Sequence, residues 1–243
     1  MNEKRITPME SVKALTFDVF GTVVDWRNGI TEEGRALGRH KGIEADWEAF
    51  ADAWRGQYQP SLARVRDGEV PWANLDSLHR ASLDTLLEEF GIEGLAEPDK
   101  DALNRAWHRL PPWPDTVEGL ALLKRKYILA TLSNGNVALL VNMARNAGLP
   151  WDAILGAEVA RHYKPQPESY LVTAELLGLA PHECMMVAAH NGDLVAAAAL
   201  GFRTAFVPRP TEYGPDQQTD LQAEHDFDVV GESFIDLAEQ LGC

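Results

Sequence analysis

The stretch that most constrains the fold is Val12–Thr22, VKALTFDVFGT. Val12 to Phe20 is mostly apolar and rich in β-branched and aromatic residues, the composition of a strand buried on both faces of a parallel sheet. Beyond Lys13 its only charged side chain is Asp18. A carboxylate near the end of a buried strand is costly unless it is paired or used. Gly21, three residues on, can turn the chain sharply away from the strand. The expectation is a lone carboxylate at the carboxyl end of a buried strand, the edge at which open α/β sheets bind ligands. Taken alone, Asp18 could instead cap the following helix.

From Asp115 onward strands and helices alternate. Helical patterns cover Asp115–Lys126, Val137–Ala147, Pro167–Leu177, Asp193–Leu200 and Ser233–Leu241. Apolar strand-like runs cover Tyr127–Leu132, Ala153–Val159, Met185–Ala189, Thr204–Val207 and Val229–Val230. This alternation predicts a doubly wound parallel sheet with helices on both faces. Between the first strand and this region the pattern is wholly helical, over about Thr31–Lys41, Asp46–Arg66, Trp72–Phe90 and Asp99–Trp107, and ends in the linker PPWPDT. The chain therefore reads as a Rossmann-like α/β core, residues 1–26 and 111–243, carrying a helical cap, residues 27–110.

Four strand ends carry polar residues where the apolar runs stop: Asp18; Ser133 and Asn134; His162 and Lys164; His190, Asn191 and Asp193. The carboxyl ends of parallel strands share one edge, so these residues should converge. Convergence of four such ends is hard to explain by helix capping alone.

Composition narrows the partners. A net charge of −15 disfavours nucleic acid as a main partner, because phosphate backbones require clustered Lys and Arg. No apolar run reaches the ~20 residues of a membrane span, and the segment MNEKRITPMESVK lacks an apolar signal core. The two cysteines, Cys184 and Cys243, give no disulfide framework. A cytoplasmic protein acting on a small molecule is expected.

Asp18-Val19-Phe20-Gly21-Thr22 resembles the first motif of the haloacid dehalogenase superfamily. In that family the first Asp is a covalent nucleophile, and most members are phosphatases with a second Asp two positions on as general acid. Here that position is Phe20, which cannot donate a proton. The sequence is similar to the (S)-2-haloacid dehalogenase branch, where the halide leaving group needs none. The resemblance implies that Asp18 is the nucleophile, that Thr22 hydrogen-bonds it, and that Ser133 and Asn134 hold the substrate carboxylate. It implies that Lys164, in Lys164-Pro165-x-Pro167, is the third-motif cation, that Tyr170 is an active-site Tyr and that Asp193 is the fourth-motif acid. It also points to Val19, Phe20 and Asn191 as substrate-contact positions and to Arg55 as the halide-binding Arg of the cap, with Arg64 and Arg66 as rivals.

The acid cluster of the phosphatases is thin here, so neither metal nor cofactor is expected. Ala188 and His190 stand where many members of this branch have Ser and Asn. If His190 faces the halide, it shrinks that pocket, could donate a hydrogen bond and would favour fluoride. The alternative is a His190–Asp193 pair. The resemblance thus implies hydrolytic dehalogenation of short (S)-2-haloalkanoic acids through an aspartyl ester, with the haloacid and halide as partners, and homodimers are common in the family. A phosphatase, a ring-opening hydrolase of a strained cyclic imino acid and a non-catalytic binding protein are the competing readings.

Overall fold

The computed structural model describes residues 8–243. The first seven residues, part of the segment assessed for a signal core, lie outside it.

Six strands form one parallel sheet: β1 (Ala14–Phe17), β2 (Ile128–Ser133), β3 (Ala153–Gly156), β4 (Cys184–Ala188), β5 (Arg203–Phe206) and β6 (Val229–Val230), in the order β3-β2-β1-β4-β5-β6. The register sets Phe17 beside Thr131 of β2 and Val187 of β4. The chain adds β2 and β3 on one side of β1, then crosses to add β4, β5 and β6 on the other. The carboxyl end of β1 therefore lies at the topological switch point, where such sheets open a crevice.

Helices α1 (Trp26–Lys41), α2 (Trp47–Gly56), α3 (Tyr58–Arg66), α4 (Leu75–Glu89) and α5 (Glu97–Asn104), with a 3-10 turn at Arg105–His108, separate β1 from α6 (Thr116–Leu123). The remaining helices are α7 (Val137–Ala147), α8 (Ala157–Ala160), α9 (Pro167–Leu176), α10 (Asn191–Ala199) and α11 (Phe234–Gln240). None of the described helices is long and apolar enough to cross a membrane.

Side chains alternate across β1 and β4 as the pleat requires. Leu15, Phe17, Met185 and Val187 pack with Leu120, Leu123, Phe234 and Leu237 on one face. Ala14, Cys184, Met186 and Ala188 pack with Tyr170, Ala174, Leu194 and Ala197 on the other. Each fully buried large side chain of this set contributes about 1.5–3 kcal/mol.

Three elements depart from the sequence-based expectation. The helix expected over Asp46–Arg66 is two helices, α2 and α3, meeting at Gln57. Pro60 lacks an amide N–H and its ring would strike the Gly56 carbonyl of a continuous helix. The strand expected over Ala153–Val159 stops at Gly156, whose φ of 131° turns the chain into α8. A Cβ there would lie 2.2 Å from the Ser133 carbonyl oxygen, so only glycine fits against the adjoining strand. Helix α1 starts five residues earlier than Thr31, because the Asp25 carboxylate accepts from the Asn28 amide and caps it at Trp26.

Candidate active site

The turn after β1 is fixed from several sides. Gly21 adopts φ 87°, the left-handed region open to glycine. The Trp113 indole N–H donates to the Gly21 carbonyl at 2.8 Å. Arg209 Nε donates to the Thr22 carbonyl at 2.9 Å while its fork grips Asp115 at 2.7 and 3.1 Å. This clamp holds Asp18, only 7% exposed, at the floor of a cavity of about 390 Å³.

Both oxygens of Asp18 are engaged, but unequally. Lys164 Nζ donates to Oδ1 at 2.9 Å. Oδ2 accepts from the Thr22 hydroxyl at 2.7 Å, and His190 Nδ1 lies 3.1 Å from it. Burial disfavours the charged carboxylate, yet Lys164 and His190 outweigh it and hold Asp18 far below the usual carboxylate range. Lys164 also reaches Asp193 Oδ2 at 2.5 Å, and Tyr170 donates to Asp193 Oδ1 at 2.6 Å. Burial opposes the Lys164 ammonium, but Asp18 and Asp193 together keep it charged well above an ordinary lysine. The Tyr170 hydroxyl is pushed up by burial and by Asp193, so it remains a donor.

The same cavity is walled by Arg55, Tyr58, Asn134, Tyr213 and Phe20. The Arg55 guanidinium carbon lies 4.3 Å from the Tyr58 ring centroid and 5.4 Å from that of Trp26, so its charge rests on aromatic faces. Asn134 accepts from the Lys164 amide at 2.9 Å and donates to the Tyr58 hydroxyl at 2.9 Å, tying the end of β2 to α3. Phe20 meets Trp107 edge to face at 6.0 Å, which fixes its ring in the cavity wall.

A buried glutamate links Arg55 to His190. Glu212, 1% exposed, accepts from the Trp26 indole N–H at 2.9 Å, lies 2.9 Å from His190 Nε2 and 4.0 Å from an Arg55 nitrogen. A Cβ on Gly21 would come within 2.0 Å of Glu212 Oε1, so the glycine also makes room for this carboxylate.

A family model for haloacid dehalogenase-like hydrolases matches residues 12–201. The chain belongs to that family. The hydrolase is 51% identical to an L-2-haloacid dehalogenase of known crystal structure, with a TM-score of 0.90 over 95% of this chain and 99% of that one. It is 49% identical to a defluorinating L-2-haloacid dehalogenase, with a TM-score of 0.93 over 96% of each chain. It is also 33% identical to the (S)-2-haloacid dehalogenase of Xanthobacter autotrophicus, over 82% of this chain and 76% of that relative. The hydrolase thus falls in the (S)-2-haloacid dehalogenase branch.

Of the positions singled out in the sequence, the structure gathers Asp18, Phe20, Arg55, Asn134, Lys164, Tyr170, His190 and Asp193 on one cavity, with Thr22 bonded beneath Asp18. Others stand off it. Val19 is fully buried behind the turn, and its carbonyl accepts from the Val23 and Val24 amides. Ser133 is fully buried, with its hydroxyl accepting from the Gly135 amide, so Asn134 lines the wall in its place. Asn191 is spent on Asp220, Gln222 and Glu224, pinning the loop after β5 rather than facing the cavity. Of the rival arginines, Arg64 pairs with Glu69 at the surface and Arg66 donates to the Lys164 carbonyl. His162 contacts the nearby Ala160 carbonyl and does not line the cavity.

His190 corrects two expectations. It pairs with Asp18 and Glu212, not Asp193, because it precedes α10 while Asp193 lies in that helix's first turn. Both ring nitrogens are occupied, so neither is left to donate to a halide. Sequence reading missed Glu212, Tyr213 and Arg209 altogether. They sit in the irregular segment after β5, where no periodicity marks them.

The wider superfamily's phosphatases use Mg²⁺. Here the Asp18 and Asp193 carboxylates share the Lys164 ammonium, Phe20 supplies no oxygen, and no group of three His, Cys, Asp or Glu side chains able to hold a metal occurs among the described residues. These side chains do not fit a hard cation.

Proposed function

We propose that this enzyme, a hydrolase of carbon–halide bonds, converts short (S)-2-haloalkanoic acids, including 2-halopropionates and haloacetates, to 2-hydroxy acids through an ester on Asp18. The observation that carries the reading is an Asp18 carboxylate held by Lys164, Thr22 and His190 in the same small cavity as the Arg55 guanidinium. Asp18 Oδ1 has one donor where Oδ2 has two, so Oδ1 is the freer nucleophile. It attacks the halogen-bearing carbon from behind, inverting it. Arg55 faces the departing halide, where negative charge develops. Water near Asp193 and Lys164 then attacks Cγ of Asp18 and releases the 2-hydroxy acid. Asn134, which lines the cavity, is placed to meet the substrate carboxylate.

Phe20 supports a leaving group that departs without a proton. The bulk of His190 beside Asp18 and the likeness to a defluorinating relative favour extension of the range to fluoroacetate. Two free cysteines, Cys184 buried and Cys243 partly so, fit a reducing, cytoplasmic setting. A homodimer belongs to the same reading by its kinship alone.

The test is halide release from (S)-2-chloropropionate, chloroacetate and fluoroacetate in the presence of EDTA, alongside Asp18→Asn. Metal-independent release that vanishes in the variant is expected. Mg²⁺-dependent cleavage of phosphate esters with no halide release would overturn the proposal.

A further inference from the structure

Asp18, His190 and Glu212 form a continuous buried chain: Oδ2 of Asp18 to Nδ1, and Nε2 to Oε2 of Glu212, at 3.1 and 2.9 Å. With a carboxylate oxygen against each ring nitrogen, both nitrogens are placed to donate, the arrangement that suits an imidazolium. Nothing in the alkylation step uses this group, since its nitrogens are spoken for and Arg55 faces the halide. Its one contact with the reacting carboxyl is Oδ2, which it shares with the Thr22 hydroxyl.

Resting on the aspartyl-ester reading, we propose that His190 Nδ1–H and Thr22 Oγ–H together form the oxyanion-stabilising pair for hydrolysis of that ester, with Glu212 as the positioning residue that fixes the ring. When Oδ1 is the alkylated oxygen, Oδ2 becomes the ester carbonyl oxygen. Water adds to Cγ, its proton passes to Asp193, and the carbonyl π pair moves onto Oδ2. Oδ2 then carries the full negative charge within reach of two donors already aimed at it. Collapse breaks the Cγ–Oδ1 bond. The departing alkoxide takes the proton back from Asp193, and Asp18, as a free carboxylic acid, loses its own proton to solvent.

Glu212 matters because alkylation removes a charge. Once Asp18 is a neutral ester, it no longer holds the proton on His190. Glu212 is then the remaining carboxylate bonded to the ring. The groups facing His190 are Asp18 and Glu212, with Tyr213 and Arg55 on the cavity side and Lys164 beyond Asp18. Burial disfavours the imidazolium, but Glu212 and Asp18 hold it well above the ordinary histidine range. Glu212 is itself held by Trp26, so the ring has little freedom to swing.

The experiment separates the two half-reactions. Chloroacetate is mixed rapidly with wild type, Glu212→Gln, His190→Asn and His190→Ala, and the halide burst, the steady rate and the mass of the Asp18 peptide are followed. The expected result is a burst of about one chloride per site at a near wild-type rate in all variants, then a steady rate lowered by about 10²-fold in His190→Ala, with the ester accumulating on Asp18. His190→Asn keeps a neutral donor near the Nδ1 position and is expected to fall between. Glu212→Gln leaves fold and donor in place and slows only the second phase. A burst slowed as much as the steady rate, with no ester accumulating, would place His190 in alkylation and overturn the proposal, as would variants with unchanged steady rates. Wild-type turnover in heavy-oxygen water tests the underlying reading separately: no label in Asp18 means there is no aspartyl ester at all.

Discussion

Replacing Lys164 by Met exposes how much the site depends on one ammonium. Lys164 is buried between Asp18 and Asp193, at 2.9 and 2.5 Å. Met keeps much of the stem's bulk but leaves two buried carboxylates facing each other without a cation. Breaking a buried pair by removing one partner costs about 3–5 kcal/mol. For a chain of this size each kcal/mol lowers the melting temperature by about 2–4 °C, so a fall of roughly 6–20 °C is expected near neutral pH.

The pH dependence has a definite sign. The folded Asp18 carboxyl lies far below its unfolded value and the folded Lys164 amine above its own. Their mutual stabilisation is therefore present from about pH 5 to 10 and declines outside that window. The gap in melting temperature between wild type and Lys164→Met should narrow as pH falls toward about 3, where the variant's carboxylates protonate. Thermal melts across that range give the gap directly. Adding Asp193→Asn to the variant removes one of the two facing charges, so the double variant should melt higher than Lys164→Met while halide release stays lost. If the double variant is no more stable than the single one, or if the gap is independent of pH, the assignment of Lys164 as the charge between two carboxylates is wrong.

Other residues make sharper, narrower tests. Tyr170→Phe removes the hydroxyl at 2.6 Å from Asp193. A hydrogen bond to a charged group is worth about 1.5–3 kcal/mol, so kcat should fall by about ten- to a hundredfold with little change in KM, measured by steady-state halide release. Arg55→Lys keeps the charge but loses the planar stacking on Tyr58, 4.3 Å from the ring centroid, and should slow the chloride burst rather than the steady phase that follows it. Asp76 joins α4 to α7, with His108 Nε2 at 2.9 Å and Asn136 donating at 2.9 Å. Asp76→Ala leaves those groups unpaired at about 1–3 kcal/mol and should lower the melting temperature while halide release below the transition is retained.

The parts of the site that were legible in the sequence are those at strand ends. Asp18 stood out as the lone charge in an apolar run. Lys164, beside two prolines, and Asp193, after the apolar run of β4, shared the edge that a parallel sheet requires. What escaped notice obeys no period. Glu212 lies 191 positions from the glycine that makes room for it, in a segment with no repeating apolar spacing. His190 was seen, but its partner was misread because the nearest acid in sequence was Asp193. β4 ends at Ala188 and α10 starts at Asn191, so His190 lies in extended backbone before the helix and Asp193 within its first turn, which turns the two side chains to different neighbours. Pro60 was a visible helix breaker, and it alone would have split the Asp46–Arg66 expectation into two helices.

The shared direction of the six strands has an electrostatic consequence. A helix that follows a parallel strand begins at the strand's carboxyl edge, and α10 opens on the cavity at Gly192 and Asp193, whereas the first amide of α7 is taken by the Glu158 carboxylate at 2.7 Å. The start of α10 carries roughly half a positive charge, fixed in the backbone and indifferent to pH, which Asp220 and Asp193 partly offset and to which the Lys164 and Arg55 cations of the cavity add. A protein bearing a net charge of −15 can thus offer a small anion an attractive interior while its surface repels the same anion in solution. Arrival is slowed by that outer field, and departing anions are hurried away by it. Added salt screens the outer field over distances beyond about 10 Å and leaves the buried backbone dipoles nearly untouched.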